Sequence, residues 1–150
     1  MQQFNAKIND RNFVYANFWL SDAQRQIPPV MSQPWGKESQ DDYSLRSSLC
    51  WKGWVKKVNM NFTSAFLHDV IHYRNPEITV DGKSTMQAFR NNFSLTYDSL
   101  KKFSFYAEAG YDFERAIVPA YTLVRVRHIG KLTGGVKFIL NKNFLLQIDL

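Results

Sequence analysis

Eight stretches of this chain read as β-strands, and the connections between them alternate between short and long. The short ones run from Asn9 to Asn12, Lys52 to Lys57, Asp98 to Lys101 and Asn141 to Asn143; the longer ones run from Gln26 to Asp41, Asn75 to Met86 and Pro119 to Thr122. Tight turns at one end and long polar loops at the other are the habit of a meander that crosses an outer membrane. The pattern predicts an all-β fold: an antiparallel up-and-down meander of about eight strands that is part of a transmembrane β-barrel.

Period two carries the strand assignment. From Phe103 to Phe113, the set Phe103, Phe105, Ala107, Ala109, Tyr111 and Phe113 alternates with Ser104, Tyr106, Glu108, Gly110 and Asp112, so one face is apolar and the other mostly polar. Tyr43 to Lys52 and Phe89 to Asp98 repeat this, and from Val58 the set Val58, Met60, Phe62 and Phe66 faces Asn59, Asn61, Thr63 and Asp69. Phe13 to Leu20 is aromatic but mixed on both faces, and Leu132 to Leu140 alternates loosely. Phe4 to Ile8 and Phe144 to Leu150 read as strand pieces shorter than a membrane-crossing strand of about 9 to 11 residues.

Alternation suits a soluble barrel as well as a membrane one, because the apolar face can meet a core or lipid. Length separates them better. Val58 to Arg74 and Lys102 to Val118 both run well past the five or six residues usual for a soluble strand. Aromatics near strand ends, among them Trp19, Trp51, Trp54, Tyr73, Tyr97 and Tyr121, suit interfacial girdles.

The 150 residues fit one domain, and an aromatic share of 15% excludes a disordered chain. A net charge of +6 would suit nucleic acid, anionic headgroups or an acidic ligand. With no zinc-finger spacing, RNP motif or basic helix, no nucleic-acid partner is expected. Cys50 is the sole cysteine, so no intrachain disulfide can form. No run approaches the roughly 20 apolar residues of a helical span, and Met1 to Ile8 lacks a signal-peptide core.

The segment Ser21 to Ser48, with Arg25, Ile27, Pro28 and Pro29, and the following stretch, with Ser64, Phe66, Leu67, Asp69, Tyr73 and Pro76, resemble the barrel of TonB-dependent outer-membrane receptors of the Bacteroidetes, cobalamin-receptor-like type. The resemblance implies a barrel of about 22 strands closed by a plug, importing a scarce ligand such as cobalamin or a siderophore. This chain has no plug and no TonB box near Met1. Residues 1–150 are therefore expected to be an internal, partial barrel of such a receptor. The implied partners are the remainder of the barrel and its plug, the TonB complex through that plug, and the lipid and lipopolysaccharide of the cell outer membrane.

The candidate ligand-binding residues are Trp35, Asp41 and Asp42, grouped in one external loop near Glu38. Clustered carboxylates can hold calcium, and an exposed Trp can stack on a flat ligand. His68 and His72 would lie on one strand face about 13 Å apart, too far to share an ion. His128 with Arg125 and Arg127, near an outer loop, could meet lipopolysaccharide phosphates. Asp81-Gly82 reads as a turn inside the Asn75 to Met86 loop, and Gly134-Gly135 as a kink or bulge. Nucleophile signatures and phosphate loops are absent, so no enzyme, cofactor or resident metal is expected. The alternatives are a complete eight-stranded outer-membrane barrel with a structural or adhesive role, and a soluble barrel binding an apolar ligand.

Overall fold

A computed structural model describes residues 1–28, 37–100, 103–119, 124–141 and 144–149. The strands are β1 (Gln2–Asn9), β2 (Asn12–Gln26), β3 (Ser39–Val55), β4 (Val58–Asn75), β5 (Val80–Leu100), β6 (Phe103–Ile117), β7 (Arg125–Asn141) and β8 (Phe144–Asp149). They form a single antiparallel meander sheet in the order β1-β2-β3-β4-β5-β6-β7-β8. Among the described residues the sheet is not closed into a barrel: β1 pairs only with β2, and β8 only with β7. At roughly 3.3 Å per residue, the 18 residues of β4 extend about 60 Å.

Two connections differ from the sequence reading. Asn75 to Met86 is not a long loop: the chain turns within 76–79 and re-enters the sheet at Val80. Asp81 and Gly82, expected as a turn, instead pair with Arg74 and Tyr73. The actual reversal ends on Thr79, which adopts φ 56°. At the other end the turns are tighter than expected, since β3 continues to Val55 and reverses through Lys56 and Lys57 alone. The contrast of short and long connections survives in 27–38 and 118–124, and is weaker for the loss of its middle member.

Register sorts the side chains into two faces, because residues paired across strands share a side. One face carries Val14, Trp51, Phe62, Phe93, Ala109 and Leu132 side by side across six strands. Phe66 and Phe89 meet there at 4.6 Å between ring centroids, and Phe103 and Phe138 at 4.3 Å. The opposite face carries the row Trp19, Arg46, Leu67, Ala88, Glu114 and Arg127. From the two-residue turns up to the level of Asp22, Asp41, Lys83 and Arg115, every Asp, Glu, Lys and Arg of β2 to β7 lies on this second, polar face.

Among the described residues there is almost no core. Among the described residues the only buried hydrophobic side chain is Ala88, and no large side chain is fully buried. Phe18, Leu20, Leu49, Phe89, Phe93, Phe105 and Leu132 are exposed, Leu132 to 83%. These lie on the apolar face, whereas Trp54, Ile71, Val80 and Met86, exposed as well, lie on the polar face. Along β6, Phe105, Ala107, Ala109 and Tyr111 are exposed, whereas Tyr106, Gly110 and Glu114 on the polar face are half-buried and Asp112 is buried at 8%. Along β6, then, the polar side is the more covered of the two, although Glu108 there is exposed and Phe103 and Phe113 opposite are half-buried.

The aromatic residues expected in girdles divide between the faces. Trp51 and Tyr97 are on the apolar face, where a girdle would need them, whereas Trp19, Trp54 and Tyr73 are on the polar face. Tyr121 lies outside the described residues. Trp51 donates its Nε1–H to Asn12 Oδ1 at 3.1 Å, and its ring covers Gly53 so closely that a Cβ there would come within 2.5 Å of it. No kink or bulge marks Gly134-Gly135, which pair regularly with Ala107 and Tyr106.

Candidate functional site

The polar face is where chemistry-bearing side chains meet, because adjacent strands bring alternate residues within reach of one another. Glu114 on β6 accepts from Arg127 Nη2 at 2.6 Å and Nε at 3.1 Å, and from Arg90 Nη2 at 3.3 Å. One carboxylate thereby ties β5, β6 and β7 together. Lys131 Nζ donates to Asp112 Oδ2 at 2.8 Å, and Asn92 Nδ2 to Glu108 Oε1 at 3.0 Å. Arg46 sits 3.8 Å from Asp69 and places its guanidinium 5.2 Å from the centroid of the Trp19 ring.

At the end opposite the two-residue turns, the expected acidic cluster is dismantled by register. Asp41 and Asp42 are not in a loop; they are strand residues paired with Gln24 and Ala23 of β2. As successive strand residues they point to opposite faces. Asp41 accepts from Arg74 at 2.5 Å on the apolar side, whereas Asp42 is held by Arg25, with Gln40 donating to it at 2.6 Å, on the polar side. Glu38 accepts from Asn75 Nδ2 at 2.9 Å. The three carboxylates do not converge, and no group of metal-ligating side chains occurs among the described residues. Trp35, the third expected ligand contact, lies outside those residues.

His68 and His72 share the apolar side of β4, as their spacing implies. His72 meets Asp81 across the β4–β5 hairpin, and His68 stacks with Phe66 and lies edge-on to Tyr43. Arg125, Arg127 and His128 belong to β7, not to an outer loop. Arg127 turns to the polar face and Glu114, while His128 turns to the apolar face and contacts Tyr111 Oη at 2.7 Å through Nδ1. They form no single phosphate-facing cluster.

A cavity of about 580 Å³ lies near the long-connection end of the polar face, bounded by Arg25, Asp42, Arg46, Asp69, Met86 and Ala116. Its cations are already engaged by its carboxylates. The sequence marks Arg46, Arg90, Glu108 and Asp112 as polar-face residues through period two alone. It misses Arg25–Asp42 and Arg90–Glu114–Arg127, because partners 17 and 24 positions apart become neighbours only once the register is known. Compared with known proteins, the chain matches no family model and no curated protein.

Proposed function

We propose that this chain forms wall of a transmembrane β-barrel in the outer membrane, and that the barrel is a TonB-dependent receptor taking up a scarce ligand such as cobalamin or a siderophore. The observation that carries the membrane part is the single-layer sheet with an uncharged, largely exposed apolar band on one face, at whose level the strand charges all lie on the other face. Soluble monomers rarely expose an apolar patch beyond a few hundred Å². Lipid is a solvent in which such a face is at rest, and the polar face then lines an aqueous lumen. The receptor part rests on the resemblance carried by Arg25 to Pro29 and by Ser64 to Pro76.

Open edges support a wall rather than a closed unit. Backbone groups on the outer sides of β1 and β8 have no strand partner among the described residues, and in hydrocarbon each such group costs several kcal/mol. Further strands from the rest of a receptor would satisfy them. A complete eight-stranded barrel would use the same two faces but would require β1 to pair with β8. A soluble barrel around an apolar ligand would have to enclose the apolar side chains that are exposed here.

Envelope fractionation of the native host tests the membrane part: the protein should sediment with the outer membrane and resist alkaline carbonate. Recovery in the soluble fraction would reject it. The receptor part predicts that deleting the gene abolishes uptake of one labelled cobalamin or siderophore to the same extent as loss of TonB.

A further inference from the structure

Six charged residues stand on the apolar face at the long-connection end: Asp22, Asp41, Arg74, Asp81, Lys83 of β5 and Arg115 of β6. Asp41 is tied to Arg74 and Asp81 to His72, which leaves Lys83 and Arg115 as the cations to account for. Both are exposed, and among the described residues neither has a carboxylate partner, although Arg25, Arg74, Arg90, Arg127 and Lys131 all do. Both border the uncharged band at the long-connection end, at different distances along the strands: Gln87 pairs with Arg115, and Lys83 lies four residues further along β5. Four strand steps and one strand spacing separate their Cα atoms by roughly 14 Å. The opposite margin of this face, from Val55 and Val58 to Tyr97 and Phe105, carries no charge in the strands.

We propose that Lys83 and Arg115 bind phosphates of anionic lipid headgroups at the long-connection end of the barrel. This rests on the membrane reading above. An unpaired cation beside an apolar band is poorly placed in hydrocarbon and well placed at headgroup level, where a long aliphatic stem follows the acyl chains and the charged head reaches phosphate. Charge complementarity selects an anionic lipid over a zwitterionic one, at about fivefold per cation near the surface. Arg74, at the same end of this face, is neutralised by Asp41 and contributes little. The structure thus moves the phosphate-facing role away from Arg125 and Arg127, which face the other way.

The test uses the full-length protein, purified in neutral detergent and mixed with equimolar phosphatidylglycerol and phosphatidylcholine, with bound lipid counted by native mass spectrometry. Wild type should retain phosphatidylglycerol at least about fivefold over phosphatidylcholine. The double variant K83Q/R115Q should lose at least threefold of that preference, and K137Q, on the polar face, should lose none. Equal retention of the two lipids by wild type, or an undiminished preference in K83Q/R115Q, overturns the proposal while leaving the membrane reading intact. A protein that binds no detergent and stays soluble overturns both.

Discussion

Asp41 and Asp42 are neighbours in the chain and face opposite sides of the sheet, the first bound to Arg74 and the second to Arg25. A pair that reads as one acidic site is two separate cross-strand ties. Millimolar calcium should therefore leave the melting temperature unchanged. Asp41→Asn and Asp42→Asn should each cost no more than about 1 kcal/mol, with the double variant equal to the sum within about 0.5 kcal/mol. A calcium-dependent rise in melting temperature, lost in either variant, would mean that the two carboxylates converge.

Leu132 and Thr133 of β7 provide a sharper contrast, because they are adjacent, both exposed, and on opposite faces. Leu132→Lys should cost about 2–4 kcal/mol in a bilayer if that position lies near the midplane, whereas Thr133→Lys should be close to neutral. Unfolding in lipid vesicles measures both. In a protein that folded in water the two substitutions would be equally mild.

Asp112 is buried beneath Lys131. Asp112→Asn should destabilise by about 1–3 kcal/mol, since it weakens a charge-assisted bond at a covered site. Lys131→Gln, whose head is solvated, should cost less than Asp112→Asn. The ranking can be read from urea titrations of the two variants.

Thr79 closes the 76–79 turn at φ 56°, a conformation that a β-branched residue adopts at a cost. Thr79→Gly should raise stability by about 0.5–1 kcal/mol, and Thr79→Val should not. Thermal melts of the two variants decide it.

The strands were legible where alternation was strict. Phe103 to Phe113 and Val58 to Phe66 each occupy the face that their period assigns. Legibility failed where a local signal competed with pairing: Asp81-Gly82 has turn chemistry, yet Arg74 and Tyr73 opposite hold it in the sheet, so β5 begins six residues before Met86. Asp41 reads as loop because polar residues cluster there, whereas β2 extends far enough to pair with it. Phe13, Tyr15 and Trp19 explain why β2 looked mixed, since all three lie on the polar face beside Val14, Ala16 and Phe18 on the other. The Glu114 network was beyond reach, because it depends on how β5, β6 and β7 are shifted against one another, and no local pattern encodes that.

On the reading proposed above, the apolar face meets lipid and the polar face meets water. Spin labels placed singly from Tyr106 to Phe113, in a Cys50→Ser background and in a bilayer, measure this directly through collision with oxygen, which concentrates in lipid, and with a water-soluble nickel chelate. Collision rates should alternate with a period of two along β6, with oxygen contact highest at Ala107, Ala109 and Tyr111 and nickel contact highest at Glu108, Gly110 and Asp112. The opposite phase, or no alternation at all, would contradict it.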